Sequence, residues 1–189
     1  MDTYYLASTN PFKYREYQQL LALWGIRVHP FTKDEAVAVK EIETTYRGNA
    51  RLKAMAYSAH YPNRFILSDD SGLILHAFPE ILGVETARQL SPYKTDSAKN
   101  RAIINQLKGH PRHFTMTSAI VLVKNQQLLK QGLGELTGVI SAQERGRYST
   151  GFDRLLIPAG RRETLAELPF LIRRPYLHRY RALKNLLLS

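Results

Sequence analysis

Eight residues constrain this chain more than any others: the apolar run Phe65-Ile66-Leu67-Ser68 and the Asp69-Asp70-Ser71-Gly72 that follows it. A continuous apolar run of strand length, without alternation, suits a strand buried on both faces, and such strands sit inside layered α/β sheets. The run is expected to deliver Asp69 and Asp70 at the strand's C-terminal end, where open α/β sheets bind ligands.

The flanking sequence supplies the layers. Thr3-Tyr4-Tyr5-Leu6-Ala7 is a short β-prone run that stops at Ser8-Thr9-Asn10-Pro11. Asn10 is a good N-cap, Pro11 suits the first helical position, and Tyr14, Tyr17, Leu20, Leu21 and Trp24 recur at helical spacing until Gly25. Ile26 to Phe31 reads as a second strand, and Gly48 to Tyr57 as a helix ending before Pro62. Thr95 to Leu107 and Tyr176 to Leu188 read as further helices, the last amphipathic and preceded by Pro175. Phe114 to Val123 and Leu128 to Ile140 are β-rich stretches joined by Lys124-Asn125-Gln126-Gln127, a β-hairpin. The fold expected is α/β: a mixed central sheet flanked by helices, with two lobes and a nucleotide-binding cleft between them. Residues 1–189 are expected to form a single domain.

Composition narrows the function. The 189 residues carry 27 Lys and Arg against 16 Asp and Glu, a formal charge of +11, and are 44% hydrophobic, which is enough to build a core. No apolar run approaches the roughly 20 residues that span a bilayer. The opening Met1-Asp2-Thr3-Tyr4-Tyr5 has neither the basic start nor the apolar core of a signal peptide, so a cytoplasmic location and no membrane partner are expected. Zero cysteine removes disulfide scaffolds, thiolate metal sites and cysteine nucleophiles together. Positive charge leaves nucleic acid, an anionic surface or a polyanionic small molecule as partners.

Two generic signals lose to their context. Gly132-Leu133-Gly134-Glu135-Leu136-Thr137-Gly138 nearly matches a dinucleotide fingerprint, yet its last glycine is one position late and β-rich sequence lies where a helix should follow. The six histidines have no ligand spacing. The basic segment with Arg161, Arg162, Arg173, Arg174, Arg179, Arg181 and Lys184 is either a nucleic-acid patch or a solvated helix face. Asp69, Asp70 and the upstream Glu41 are hard oxygen ligands of the kind Mg2+ takes alongside substrate phosphates; the alternative is a strand-end turn in which Asp69 and Asp70 cap backbone amides. Lys13 and Lys53, expected near helix N-termini, would complement a triphosphate.

Across nearly its whole length the chain resembles the inosine triphosphate pyrophosphatase family. Ser8-Thr9-Asn10-Pro11-Phe12-Lys13 matches the family's Thr/Ser-x-Asn-x-x-Lys turn. Glu41 precedes Lys53-Ala54 by twelve positions, with Asn49-Ala50 in the Asn-Ala place, and Asp69-Asp70-Ser71-Gly72-Leu73 is the family's most specific string. Glu85-Thr86-Ala87-Arg88 stands for Tyr-Ser-Ala-Arg, and Gly134 and Gly138 take the glycines of the second hairpin strand. Gly151-Phe152-Asp153, Thr164-x-Ala166-Glu167 and His178-Arg179-x-Arg181-Ala182-Leu183 follow in order.

The resemblance implies hydrolysis of deaminated purine nucleoside triphosphates (ITP, dITP, XTP) to the monophosphate and pyrophosphate, as nucleotide-pool sanitation, with Mg2+ as cofactor and a homodimer as the common assembly. By the same resemblance Ser8, Thr9, Asn10, Lys13 and Lys53 hold the triphosphate, with Ser71 beside them. Glu41 and Asp70 bind Mg2+, while Asp70, or Asp69 beside it, orients the attacking water with Lys13 in the catalytic set. Phe152 stacks on the purine, and Asp153, Arg173, His178 and Arg179 lie at its edge. The bland alternatives are Phe152 as core, Arg179 as an ion-pair partner and Lys53 as a solvated helix position. Departures from the family gather on the base side: Ser149-Thr150 for Gly-Phe, Arg154 for Pro, Arg173-Arg174 for Lys-Asn and Leu177 for Ser. Those changes bear on base choice, and they admit two other readings: a nucleotide-binding relative with weak or altered activity, and a basic nucleic-acid-binding protein. A nucleotide with Mg2+ accounts for Lys13, Lys53 and Arg179 and leaves Arg161, Arg162 and Arg174 unassigned; nucleic acid is not the expected partner.

Overall fold

The computed structural model describes residues 3–188. Met1 and Asp2, part of the amino-terminal stretch weighed above, and Ser189 lie outside the described residues. The elements run β1 (Thr3–Leu6), α1 (Pro11–Ala22), β2 (Arg27–Pro30), α2 (Tyr46–His60), β3 (Phe65–Leu75), β4 (Phe78–Leu82), α3 (Thr86–Gln89), α4 (Asp96–Gln106), β5 (His113–Lys124), β6 (Gln127–Ile140), β7 (Leu156–Pro158), α5 (Phe170–Arg173) and α6 (His178–Leu188). Short 3-10 turns occupy Gly83–Glu85, Gly151–Arg154, Leu165–Glu167 and Arg174–Tyr176. The strands form one mixed sheet in the order β2-β1-β3-β5-β6-β7, with β4 paired antiparallel to β3.

The chain divides into two compact units. The first comprises residues 1–70, 118–133 and 182–189, and the second 71–117 and 134–181.

In the first unit β1 runs parallel to both β2 and β3. The chain therefore steps from β1 out to β2 and returns past β1 to β3, so its winding reverses between β1 and β3. That reversal is where open parallel sheets leave a crevice beyond their strand ends. Asn10 caps α1 as expected, its Oδ1 accepting from the amides of Phe12 and Lys13, and Gly25, at φ 69°, turns the chain after the helix. Tyr17, Leu20 and Leu21 of α1 are fully buried. Phe31, Ala50, Ala54, Tyr57, Ile66, Val121 and Val123 make a core cluster around α2 and the central strands. α2 begins two residues earlier than expected, capped by the Thr45 hydroxyl accepting from the Gly48 amide. The hairpin between β5 and β6 turns on Asn125 and Gln126, both at positive φ, the pairing that matches the twist of flanking strands.

In the second unit two glycines are set by close backbone approach. A Cβ on Gly72 would stand 2.0 Å from the Gly83 carbonyl oxygen, and one on Gly138 would stand 1.9 Å from that of Ile157. Gly138 is thus required by strand pairing, since it registers with Pro158 of β7, and the glycine-rich run of β6 is sheet, as its β-rich flanks imply. Thr164 and Glu167 form a capping box, so that sequence match reflects a turn that folds itself. α6 starts at His178, two residues later than expected, after the 3-10 turn at Arg174–Tyr176.

One expectation is corrected. β3 does not end at Ser68; it continues through Asp69, Asp70, Ser71 and Gly72 to Leu75. The strand that ends there is β1, whose Leu6 pairs with Leu67. The open strand end is therefore on the neighbour, and the two aspartates lie inside a ladder, buried to 1% and 6% exposure.

Candidate active site

Register builds the end of the first unit where the expected triphosphate residues lie. Leu6 opposite Leu67 places Ser8, where β1 gives way to the turn before α1, level with Asp69. The Ala7 amide still donates to the Leu67 carbonyl, after which the Ser8-Thr9-Asn10 turn opens. Ser8 Oγ accepts from the Asn10 amide at 3.2 Å, so Ser8 and Asn10 together shape the entry to α1. A helix of twelve residues points the positive end of its dipole at that entry, its first amides already held by the Asn10 cap.

Because successive side chains of a strand point to opposite faces, Asp69 and Asp70 meet different partners. Asp69 is tied down: its Oδ2 lies 3.0 Å from Lys13 Nζ, and its Oδ1 accepts from Ser118 Oγ at 2.6 Å. Its carbonyl accepts from both Lys13 and Lys53, each at 3.4 Å, so the two ammonium groups share one acceptor. The strand-end turn expected at these aspartates is not formed, because β3 continues through them. Lys53 is the eighth residue of α2 and not near its N-terminus. Its charge arrives by side-chain reach, 2.5 Å from Glu41 Oε1, which sets aside the solvated-helix alternative for this lysine.

Asp70 is held differently. Asn49 Nδ2 donates to its Oδ2 at 3.3 Å, while the same amide group grips the Glu43 backbone through Oδ1 and Nδ2. Burial, reinforced by the charge of Glu41, pushes the Asp70 carboxyl up to about 6 against the pull of Lys53 and Lys13. A buried carboxylate so disfavoured, with a second carboxylate nearby, is the donor set into which a hard divalent cation fits. Among the described residues no group of three or more His, Cys, Asp or Glu gathers for a metal, so any ion here would complete its shell with water or phosphate oxygens.

The second unit carries the residues assigned to the base. Ser71 Oγ accepts from Arg179 Nη2 at 3.0 Å, which joins two of the expected substrate residues. Phe152 and Asp153 sit on the 3-10 turn Gly151–Arg154, with Phe152 half-buried. Asp153 Oδ2 accepts from Ser149 Oγ at 2.6 Å and lies 3.9 Å from Arg173 Nε. Arg173 is buried and donates from Nη1 to the carbonyls of Tyr148 and Leu168, so it braces this segment as well as facing Asp153. His178 is buried at the start of α6.

Sequence reasoning missed Asn49, Ser118 and Ser149 as site residues. Ser118 had a signal: with Thr117 it interrupts the apolar β5, and a fully buried hydroxyl needs a partner. Ser149 replaces a residue without a hydroxyl, and nothing in the sequence says that it reaches Asp153.

The Ham1 family model matches residues 4–188. The dihydroneopterin triphosphate diphosphatase of Limosilactobacillus reuteri is 39% identical over 98% of this chain and 96% of its own. The dITP/XTP pyrophosphatase of Aquifex aeolicus is 32% identical over 96% and 93%. Among solved structures, a HAM1 protein from Coxiella burnetii superposes with a TM-score of 0.82 at 27% identity, covering 97% of this chain and 95% of that one.

Proposed function

From the premise that the chain belongs to the Ham1 family, we propose that it is a nucleoside triphosphate pyrophosphohydrolase that cleaves between the α and β phosphates of deaminated purine nucleotides. The observation that carries the reading is the pair of lysines converging on Asp69 beside a buried, charge-strained Asp70. Relatives named dITP/XTP pyrophosphatase at 30 to 32% identity support the substrate class.

Each group has a task. The Ser8-Thr9-Asn10 turn and the positive end of the α1 dipole face the phosphate oxygens, while Lys13 and Lys53 neutralise charge. Asp69 fixes the position of Lys13. Asp70 orients the attacking water and takes its proton. Asp70 and Glu41 would hold Mg2+, which stabilises the pyrophosphate leaving group when bound. In the second unit Asp153, steadied by Ser149 and Arg173, accepts from a ring N–H, Arg179 and His178 meet ring acceptors, and Phe152 stacks. The reading takes residues 1–189 as one functional domain of a cytosolic homodimer. Among the described residues no helix is long and apolar enough to cross a membrane.

A second reading of the base is favoured by one finding: the 39% relative is named for dihydroneopterin triphosphate. A reduced pterin, like hypoxanthine or xanthine, is a fused two-ring system with a carbonyl next to a ring N–H, and it adds an exocyclic amino donor. Asp153 is an acceptor, and Ser149 and Arg173, which hold it, are among this chain's departures from the family. Pyrophosphate release from ITP, dITP, XTP, GTP, ATP and dihydroneopterin triphosphate with Mg2+ ranks the readings by kcat/KM. Preference for the oxopurines supports the first, preference for the pterin the second, and no turnover of any refutes both.

A further inference from the structure

The charge of the basic segment is not all absorbed by the groups above. Arg161 and Arg162, with Arg112 and Arg145, line a solvent-open depression of about 440 Å3 that lies entirely within the second unit. The other lining residues, Ile157 and the run from Ile140 to Gln143, carry no charge.

The four arginines are not equivalent. Arg145 faces Glu167 at 3.3 Å and Arg161 faces Glu163 at 3.1 Å, so each has a carboxylate. Arg112 and Arg162 have none within ion-pair distance among the described residues. The Arg112 guanidinium is clamped by carbonyls, Nε to Ile140 at 2.6 Å and Nη2 to Ser141 at 2.5 Å. That clamp uses two of its five donors and holds the fork in one orientation. Burial also pulls its pKa below the ordinary arginine value, as expected of a desolvated cation lacking a counter-ion. Arg145 Nη2 donates to the Arg162 carbonyl at 2.7 Å and so ties the Arg162 backbone to this wall.

We propose that this depression is a second anion site that takes a small polyphosphate-bearing molecule, separate from the lysines and turn that handle the substrate's triphosphate. Two uncompensated guanidinium groups in a concavity match a ligand with several phosphoryl oxygens, because arginine forks bind such oxygens in pairs. The volume is that of small-molecule sites. Nucleic acid fits less well, because the lining has no aromatic platform for bases.

The test titrates the full-length protein with inorganic tripolyphosphate by calorimetry, in the wild type and in Arg162→Ala and Arg162→Glu. The Arg162 side chain is exposed and makes no ion pair among the described residues. The expected result is one fewer tripolyphosphate bound per chain in Arg162→Glu, at least a tenfold weaker site in Arg162→Ala, and unchanged kcat/KM for the triphosphate substrate. An unchanged stoichiometry and affinity in both variants overturns the proposal. So does a parallel fall in kcat/KM, which would make this the substrate's own site. A 20-nucleotide single strand that displaces tripolyphosphate and binds more than tenfold tighter would overturn it in favour of nucleic acid.

Discussion

Asn49 Nδ2 lies 3.3 Å from Asp70 Oδ2, and both residues are buried. Burial drives this carboxyl up to about 6 despite the neutral bond and the nearby charges of Lys53 and Lys13. The pair marks a place where charge is kept at a cost to stability, and such places are usually functional.

Asp70→Asn is expected to lower kcat by at least about a hundredfold, the lower end of what a positioned base contributes. The same variant should be more stable than wild type without metal. The sign follows from the direction of the shift: a carboxyl raised from 3.8 to about 6 favours the folded state below pH 4 and loses that contribution as pH rises to about 6. At pH 7 the loss is about 3 kcal/mol. Denaturant unfolding with chelator present, from pH 4 to 8, should show the stability of Asp70→Asn relative to wild type rising across that window and level above it.

Lys13→Ala removes the ammonium from a fully buried Asp69 carboxylate. An uncompensated buried charge costs about 3 to 5 kcal/mol, so a large fall in Tm should accompany loss of most turnover. Lys13→Arg should restore much of the Tm and less of the turnover, since a planar fork cannot stand where a point charge serves two oxygens of one residue. Thermal melts and initial rates on the same preparations separate the two effects.

Ser118→Ala deletes the 2.6 Å bond to Asp69 Oδ1 without touching any lysine. A buried acceptor left short of a donor costs about 1 to 3 kcal/mol. The expected outcome is a loss of stability in that range with a modest fall in kcat and an unchanged KM. A rise in KM equal to that of Lys13→Ala would show instead that Ser118 contacts substrate.

Much of the frame was readable from residues. The Asn10 cap, Pro11 at the first helical turn and the Asn125-Gln126 hairpin turn are local signals, and the structure carries each of them. The end of β3 was not readable, because Asp, Ser and Gly are poor strand formers and look like a stop; the paired neighbours override that propensity. Asn49 beside Asp70 and Ser149 beside Asp153 share one reason for being missed. Their partners are distant in sequence or set by a turn, and single-chain periodicity does not encode which side chains converge.

Ser149→Gly restores the residue type of the wider family and frees Asp153 of its hydroxyl donor. Base choice should respond more than chemistry: kcat/KM for dihydroneopterin triphosphate relative to ITP should change at least about threefold, the effect of a weak hydrogen bond. Hydrolysis of each substrate should still yield pyrophosphate. A uniform change across all substrates would place Ser149 in folding and not in selection.

Cleavage between the α and β phosphates is read from the products of ITP and of dihydroneopterin triphosphate with Mg2+, quantified by phosphorus NMR. The expected products are inorganic pyrophosphate and the monophosphate in equal amounts, abolished in Asp70→Asn. Orthophosphate with a diphosphate product, or equal product from Asp70→Asn and wild type, would contradict it.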